Sequence, residues 1–329
     1  MAGPYAKDQP AGFTNCIEKV AIVGAGGKMG THLTEHLLKT GKHVLTAIAR
    51  PDSTSKFPDG VEVARVDYRG DDLSALARAL KGQQFLLITM SIMAPRDTIS
   101  KLIRAAAQAG VPYVLPNWFG HDPNNKTLCD DTLLSGMNDP IRAEVESLGV
   151  SSYPCGGGPN RFGFDFPKRS LVLFDGGKVA INTSTWAQCG RAVASLLSLK
   201  EFPEDESDKS PTLSQFRNRA VYIASFRLSQ LDMFESVKRV TGTTDTDWTI
   251  THDSAEQRWK DSNALVLKGD FGAFTKMLYS RTWFFDGGGD YESTRGLGNK
   301  ILGLPVDDLD ECTAVGIGMG ESGEVPFSH

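Results

Sequence analysis

The chain has 329 residues, of which 40% are hydrophobic and 23% charged, with a formal net charge of −5. This is the make-up of a globular protein with one large domain or two ordinary ones. There is no basic excess to neutralise a nucleic-acid backbone, and no stretch approaches the length of a membrane span. Residues 1–16 read as a loose tail without the apolar core of a signal peptide, so a cytoplasmic setting is expected. The five cysteines have no C-x-x-C pair, which argues against a disulfide framework or a zinc site, and no metal is expected. From Val20 the chain alternates strands and helices. Strands are expected at 20–24, 43–49, 61–67, 85–90 and 111–116. Helices are expected at 28–40, from 71–72 to Leu80, and at 97–109, with Gly110 as a C-cap. The all-apolar run around Phe85–Ile88 suits a parallel strand covered on both faces. The fold class is therefore α/β, a doubly wound parallel sheet.

A long loop at 117–135 then leads to a helix at 139–148. After Val150 the texture changes. Residues 170–174 and 178–181 flank Asp175, Gly176 and Gly177 and predict a β-hairpin. A helix at 188–199, a surface loop at 202–211, a strand at 221–225 and a helix at 228–240 follow. Residues 243–310 read as a mixed, mostly helical lobe, and the last fifteen or so as a mobile, glycine-rich tail.

The turn between the first strand and first helix says most about function. Gly24, Gly26, Gly27 and Gly30 place four glycines within seven residues. A bare turn does not need so many, because each costs backbone entropy. A dinucleotide site does need them: the turn is tight, the backbone approaches a pyrophosphate, and a helix N-terminus aims its N–H groups at the anion. The spacing is G-x-x-G-x-x-G through Gly24, Gly27 and Gly30, with Met29 where the commoner fingerprint has glycine. Lys28 adds a charge to the turn. Arg50 ends the second strand, where an NAD site places an acid for the ribose hydroxyls. A guanidinium suits a 2′-phosphate instead, so NADP(H) is the expected cofactor. Met90 and Ser91 follow the fourth strand and are expected along the nicotinamide ribose.

The loop after the fifth strand lies at the carboxyl edge, where ligands bind in such sheets. His121 there could donate a proton near neutral pH, with a plain surface histidine as the competing reading. Asp122 stands beside it, and Asn117 could orient a substrate. Trp118, Phe119, Phe162, Phe164 and Trp186 could wall an aromatic pocket, with plain core as the competing reading for about half of them. Lys126 reads as a solvated loop lysine.

Several segments resemble one family. Val61–Asp67 with Asp71–Gly82 looks like the third strand and following helix of NmrA-like and isoflavone-reductase-like proteins. Ile103–Val111 and Leu115–Asp122 resemble that family's helix and its P-x-x-F-G-x-D loop, which begins at Pro116. Arg161–Phe166 and Ile181–Ala192 resemble its fungal branch, and the likeness spans roughly residues 18–240. It implies an NADP-binding Rossmann domain at 17–155 to which the chain returns at about 182–200 and 218–225. It also implies a smaller α+β substrate lobe from 156–181 and 226–310, and flexible tails at 1–16 and 311–329. Asp67 resembles the family residue near the adenine, with a strand-end carboxylate as the alternative. The expected partner is a small-molecule substrate, with the chain as monomer or homodimer.

Two departures bear on mechanism. The family's reductases carry a catalytic lysine at the position of Asn138, and no Tyr-x-x-x-Lys pair occurs. The run Cys155–Pro159 is abrupt where relatives have an aromatic-rich segment. Ketone reduction wants a general acid, whereas hydride delivery to an iminium does not. The expected activity is therefore NADPH-dependent reduction of an aromatic or alkaloid-like specialised metabolite at an imine, iminium or activated double bond. Asn138 orients rather than protonates. The alternative is an NADP-binding regulator or scaffold without redox turnover. A likeness to dihydrodipicolinate reductases rests on the glycine turn alone and fails after residue 60.

Overall fold

The computed structural model describes residues 4–90, 94–95, 97–117, 119–135 and 159–322. Its first half is a parallel sheet of five strands in the order β3-β2-β1-β4-β5. The strands are β1 (Lys19–Val23), β2 (Val44–Ala49), β3 (Val61–Arg65), β4 (Phe85–Ile88) and β5 (Tyr113–Leu115). Between them run α1 (Lys28–Lys39), α2 (Ser74–Leu80) and α3 (Asp97–Ala109). Side chains on a strand alternate between faces, and the core follows that rule. Val20, Ile22, Leu45, Phe85 and Leu87 pack with Leu33 and Leu37 of α1. Ala21, Val23, Ile48, Leu86 and Ile88 pack on the other face with Leu76 of α2 and Leu102 and Ala105 of α3. The strand order switches direction between β1 and β4, which opens a crevice above their carboxyl ends. The strands end earlier than the sequence suggests, so Asp67 and Met90 lie beyond β3 and β4.

The expected loop after β5 contains a short helix, α4 (Lys126–Asp131), capped by the Asn125 side chain, which accepts from the Leu128 amide. The helix expected at 139–148 and the run at Cys155 lie outside the described residues.

Helix α5 (Trp186–Leu197) packs directly on α1. The approach is so close that a side chain at Gly190 would meet the His32 backbone. Cys189, Val193 and Leu197 of this helix, with Leu213, Val221, Ile223 and Leu302, share the core of the parallel sheet.

The expected hairpin at 170–181 does not form. β7 (Ser170–Phe174) pairs antiparallel with the short β6 (Phe164–Asp165) and parallel with β10 (Thr249–Asp253). β8 (Ala180–Thr183) pairs with β9 (Phe226–Ser229) instead. Asp175, Gly176 and Gly177 all have positive φ, at 47°, 81° and 70°. Three such residues in succession make one left-handed turn, which sends β8 away and leaves the edge of β7 to β10. The strand expected at 221–225 does not form; β9 starts just after it, at Phe226.

Helix α6 (Gln230–Thr241) opens on a reciprocal cap between Ser229 and Asp232 and closes on Gly242. Helices α7 (Ala255–Leu267), α8 (Phe274–Thr282) and α9 (Tyr291–Arg295) complete this half. Its centre is aromatic: Phe162, Phe164, Phe174, Phe234, Trp248 and Trp283 are buried together. The buried Gln230 amide ties it down. Its oxygen accepts from the Phe174 N–H at 2.7 Å, and its nitrogen donates to the carbonyls of Phe162 and Val172 at 2.8 and 2.9 Å.

Both expected tails are partly ordered. The Asn15 amide exchanges two hydrogen bonds with the Phe202 backbone, at 2.9 and 2.8 Å, which fastens the N-terminal segment to the acidic loop. Helix α10 (Leu309–Glu321), capped by Asp308, occupies much of the expected C-terminal tail. No helix among the described residues is long and apolar enough to cross a membrane.

Candidate active site

The glycine turn is built by contacts only glycine permits. Gly24 has φ of 83°, and a Cβ there would enter the Thr89 carbonyl. The Thr89 hydroxyl donates to the carbonyls of Val23 and Gly24, both at 3.1 Å, and locks the end of β1 to the end of β4. A Cβ at Gly30 would collide with the Gly24 carbonyl, so α1 can lie against the turn only without a side chain there. Gly27, just before α1, offers no side-chain cap, and the first turn of the helix holds no acid. The positive end of the helix is thus left for an external anion. A pyrophosphate fits this cradle. Gly26, Gly27 and Lys28 are exposed and Met29 is half-buried against the core. The Lys28 ammonium lies 5.9 Å from the ring centre of Trp186, which opens α5.

Arg50 is exposed at the end of β2, its Nε 3.8 Å from Asp52. Asp67 accepts two hydrogen bonds from the guanidinium of Arg69, both at 2.9 Å, and this partner holds its carboxyl down at about 2. Asp67 is therefore an exposed partner of Arg69 rather than an open acceptor. The sequence reading missed Arg69. The signal available was an arginine two residues after a strand-end carboxylate.

On the nicotinamide side of the crevice, Asn117 Nδ2 donates to the Met90 carbonyl at 2.8 Å, bridging the ends of β5 and β4. Pro116, just after β5, is buried. Asn117 thus acts here on the backbone and fixes the mouth of the crevice. Phe119 packs against the core of the sheet. Ser91, Trp118 and Asn138 lie outside the described residues.

The two candidate acids are placed differently from the sequence expectation. Asp122 is buried and engaged by three donors. It accepts from Tyr222 Oη at 2.6 Å, from the Asn124 amide at 2.8 Å and from Arg295 Nε at 3.0 Å. Asn124 Nδ2 donates in turn to the Tyr222 oxygen at 2.8 Å. Three donors engage this carboxyl group and tie the β5 loop to residue 222 and to the end of α9. That is a structural knot rather than a proton source. Burial, and secondarily the Arg281 guanidinium, push the His121 imidazole down to about 4. It is therefore neutral at pH 7, contrary to the expectation that it titrates near neutrality. Arg281 is itself buried. It pairs with Asp131 and Asp286, each at 2.6 Å. Tyr222 was also missed. Burial and its bond to Asp122 raise its phenol above the ordinary range, so it too holds its proton.

Phe162 and Phe164 take the core reading. Both are fully buried in the aromatic core, Phe162 edge-on to Trp283 and Phe164 edge-on to Trp248. Alternation along β6 turns Phe164 inward, and only plain core remains of their expected role. Lys126 is exposed and pairs with Asp130 one helical turn away. Among the described residues no cluster of His, Cys, Asp and Glu could hold a metal ion.

Comparison with known proteins places this geometry. Residues 24–126 match a family model described as NAD(P)H-binding. The chain is 30% identical over 309 residues to "Oxidoreductase aprR" of Aspergillus flavus, covering 90% of this chain and 97% of that protein. Its fold is similar to that of an isoflavone reductase, with a TM-score of 0.66 at 20% identity, covering 90% of this chain and 98% of the other. It is also similar to AtPrR2 solved with NADP+ and (+)-pinoresinol, with a TM-score of 0.69 at 16% identity, covering 92% of this chain and 99% of the other. The chain belongs to the NmrA-like, isoflavone-reductase-like family of NAD(P)H-binding oxidoreductases.

Proposed function

We propose that the protein is an NADPH-dependent reductase of an aromatic or alkaloid-like specialised metabolite, acting at an imine, iminium or activated double bond. Bound at the crevice, the dinucleotide supplies a hydride. The chain's own residues do the rest. The turn from Gly24 to Gly30 and the uncapped start of α1 hold the pyrophosphate. Arg50 meets the 2′-phosphate and sets the preference for NADPH over NADH. Asn117, through the Met90 carbonyl, fixes the floor where the nicotinamide ribose lies.

The observation that carries the choice of substrate is the state of the two candidate acids. Asp122 is engaged by three donors, and His121 is neutral at pH 7. A ketone would need a proton at its oxygen as the hydride arrives. An iminium carries its charge already and becomes a neutral amine without one. The test is NADPH oxidation with cyclic iminium salts, imines, enones and ketones in parallel. The reading expects turnover with iminium, turnover with enone where the resonance-stabilised enolate takes its proton from water, and little with ketones, whose localised alkoxide needs a proton as it forms. Ketone turnover that matches or exceeds it would contradict the reading.

The same inert acids also suit a second reading, in which the dinucleotide is bound without turnover by a regulator or a condensation scaffold. Tight NADPH binding with no oxidation by any substrate class in that panel would favour it.

A further inference from the structure

The turns after β2 and β3 carry more positive charge than the single arginine used above. Arg69 is gripped by Asp67 through Nε and one terminal nitrogen, and its backbone N–H also donates to Asp67, at 3.0 Å. This grip fixes the guanidinium plane and leaves the other terminal nitrogen to reach Asp52 at 3.1 Å. The second oxygen of Asp52 faces Arg50 Nε at 3.8 Å. One carboxylate is thus shared by two guanidinium groups, an arrangement equally suited to a phosphate.

The platform beneath Arg69 is fixed. Lys101 of α3 is buried and donates to the Arg69 carbonyl at 3.0 Å, while pairing with Asp97 at 2.8 Å and Asp71 at 3.1 Å. On the other side Arg65 donates to the Ser53 carbonyl at 3.1 Å and holds the 50–53 turn against β3. The shared carboxylate is not fixed in the same way. The side chains of Arg50, Asp52 and Arg69 are 47%, 55% and 51% exposed, so these ion pairs are screened by water and open to exchange.

We propose that Arg50 and Arg69 form one dianion site for the 2′-phosphate, which Asp52 occupies as an internal stand-in until cofactor displaces it. The inference rests on the Arg50 reading above. It adds Arg69 as a specificity-determining residue and Asp52 as a competitor. The exchange favours the ligand because a phosphate brings nearly two charges and three acceptor oxygens where the carboxylate brings one charge and two. Asp67 stays paired throughout and keeps Arg69 aimed.

The test is direct binding, by calorimetry, of NADPH, NADH, adenosine 2′-monophosphate and adenosine 5′-monophosphate to the full chain. Arg69→Ala should weaken NADPH and the 2′-monophosphate roughly tenfold while NADH and the 5′-monophosphate change less than about twofold. Arg69→Lys, which keeps the charge without the fork, should recover part of the loss. Asp52→Asn should tighten NADPH and the 2′-monophosphate by roughly three- to tenfold and leave NADH alone. Equal loss of both dinucleotides in Arg69→Ala would overturn the role of Arg69. Weaker NADPH or NADH binding in Asp52→Asn would overturn the competitor, since Asp52 would then be helping to hold the ribose. If Arg50→Ala is selective for NADPH and Arg69→Ala is silent, the cofactor reading survives and this inference fails. If neither variant is selective, both fail.

Discussion

Two stretches at the same edge of the sheet treat their polar groups in opposite ways. At the glycine turn the N-terminus of α1 has no side-chain cap and no acid in its first turn. Arg50, one strand away, makes only a loose contact with a screened carboxylate. Hydrogen-bonding capacity there is left to a ligand. In the loop after β5, Asp122 spends its capacity on Tyr222, Asn124 and Arg295. His121 lies beside a buried arginine that is already paired twice. The contrast teaches that position at the carboxyl edge is shared by both stretches, and unspent hydrogen-bonding capacity is what separates them.

The largest test of this contrast is Asp122→Ala. It leaves Arg295, Tyr222 and the Asn124 amide without their shared acceptor. Asp122 is buried but the Arg295 side chain is 39% exposed, so the loss comes mainly from the Tyr222 hydroxyl and the Asn124 amide left without an acceptor, about 1–3 kcal/mol for each group that stays buried, to be read from the denaturant midpoint. If stability is unchanged while turnover is lost, Asp122 is a catalytic group and the contrast fails.

The pH dependence of stability is the next largest. The His121 imidazole is pushed from its ordinary value near 6.5 to about 4 in the folded chain. Between these values the unfolded chain binds more protons, so stability rises with pH there. The contribution is complete above pH 6.5 and is lost as pH falls toward 4, on the order of 3 kcal/mol in full. His121→Gln should remove this slope from unfolding curves taken between pH 4 and 7. An unchanged slope would place the titration elsewhere.

Arg50→Ala sharpens the other side of the comparison. Charge-assisted contacts to a phosphate contribute about 1.5–3 kcal/mol, so NADPH affinity should fall roughly 10- to 100-fold. NADH affinity should barely change. Equal loss of both in a titration would end the 2′-phosphate assignment.

The parallel half of the fold was legible in the sequence because its signals are local. Val20–Val23 and Phe85–Ile88 announce buried strands, and the glycine turn between Gly24 and Gly30 marks where the first helix must lie close. The second half was not. The turn at Asp175–Gly177 looks like a hairpin in sequence, but β7 finds its parallel partner in Thr249–Asp253, far along the chain. The site divides in the same way. The glycine turn and Arg50 carry their chemistry in a short segment. The state of His121 and Asp122 depends on Arg281, Tyr222 and Arg295, 100 and 173 residues beyond Asp122 in the last two cases. No local pattern at 121–122 reveals that these groups are already engaged.

The smallest expected effect bears most directly on the central claim, that this edge binds the dinucleotide without supplying a side-chain acid from His121 or Asp122. The measurement is the rate of NADPH oxidation on a competent substrate across pH 5–8, in the wild type and in His121→Ala. The account predicts flat profiles that differ by less than about tenfold between the two proteins. A sigmoidal fall centred near neutral pH, abolished in His121→Ala with a loss of roughly 10²–10⁴ in turnover, would contradict it.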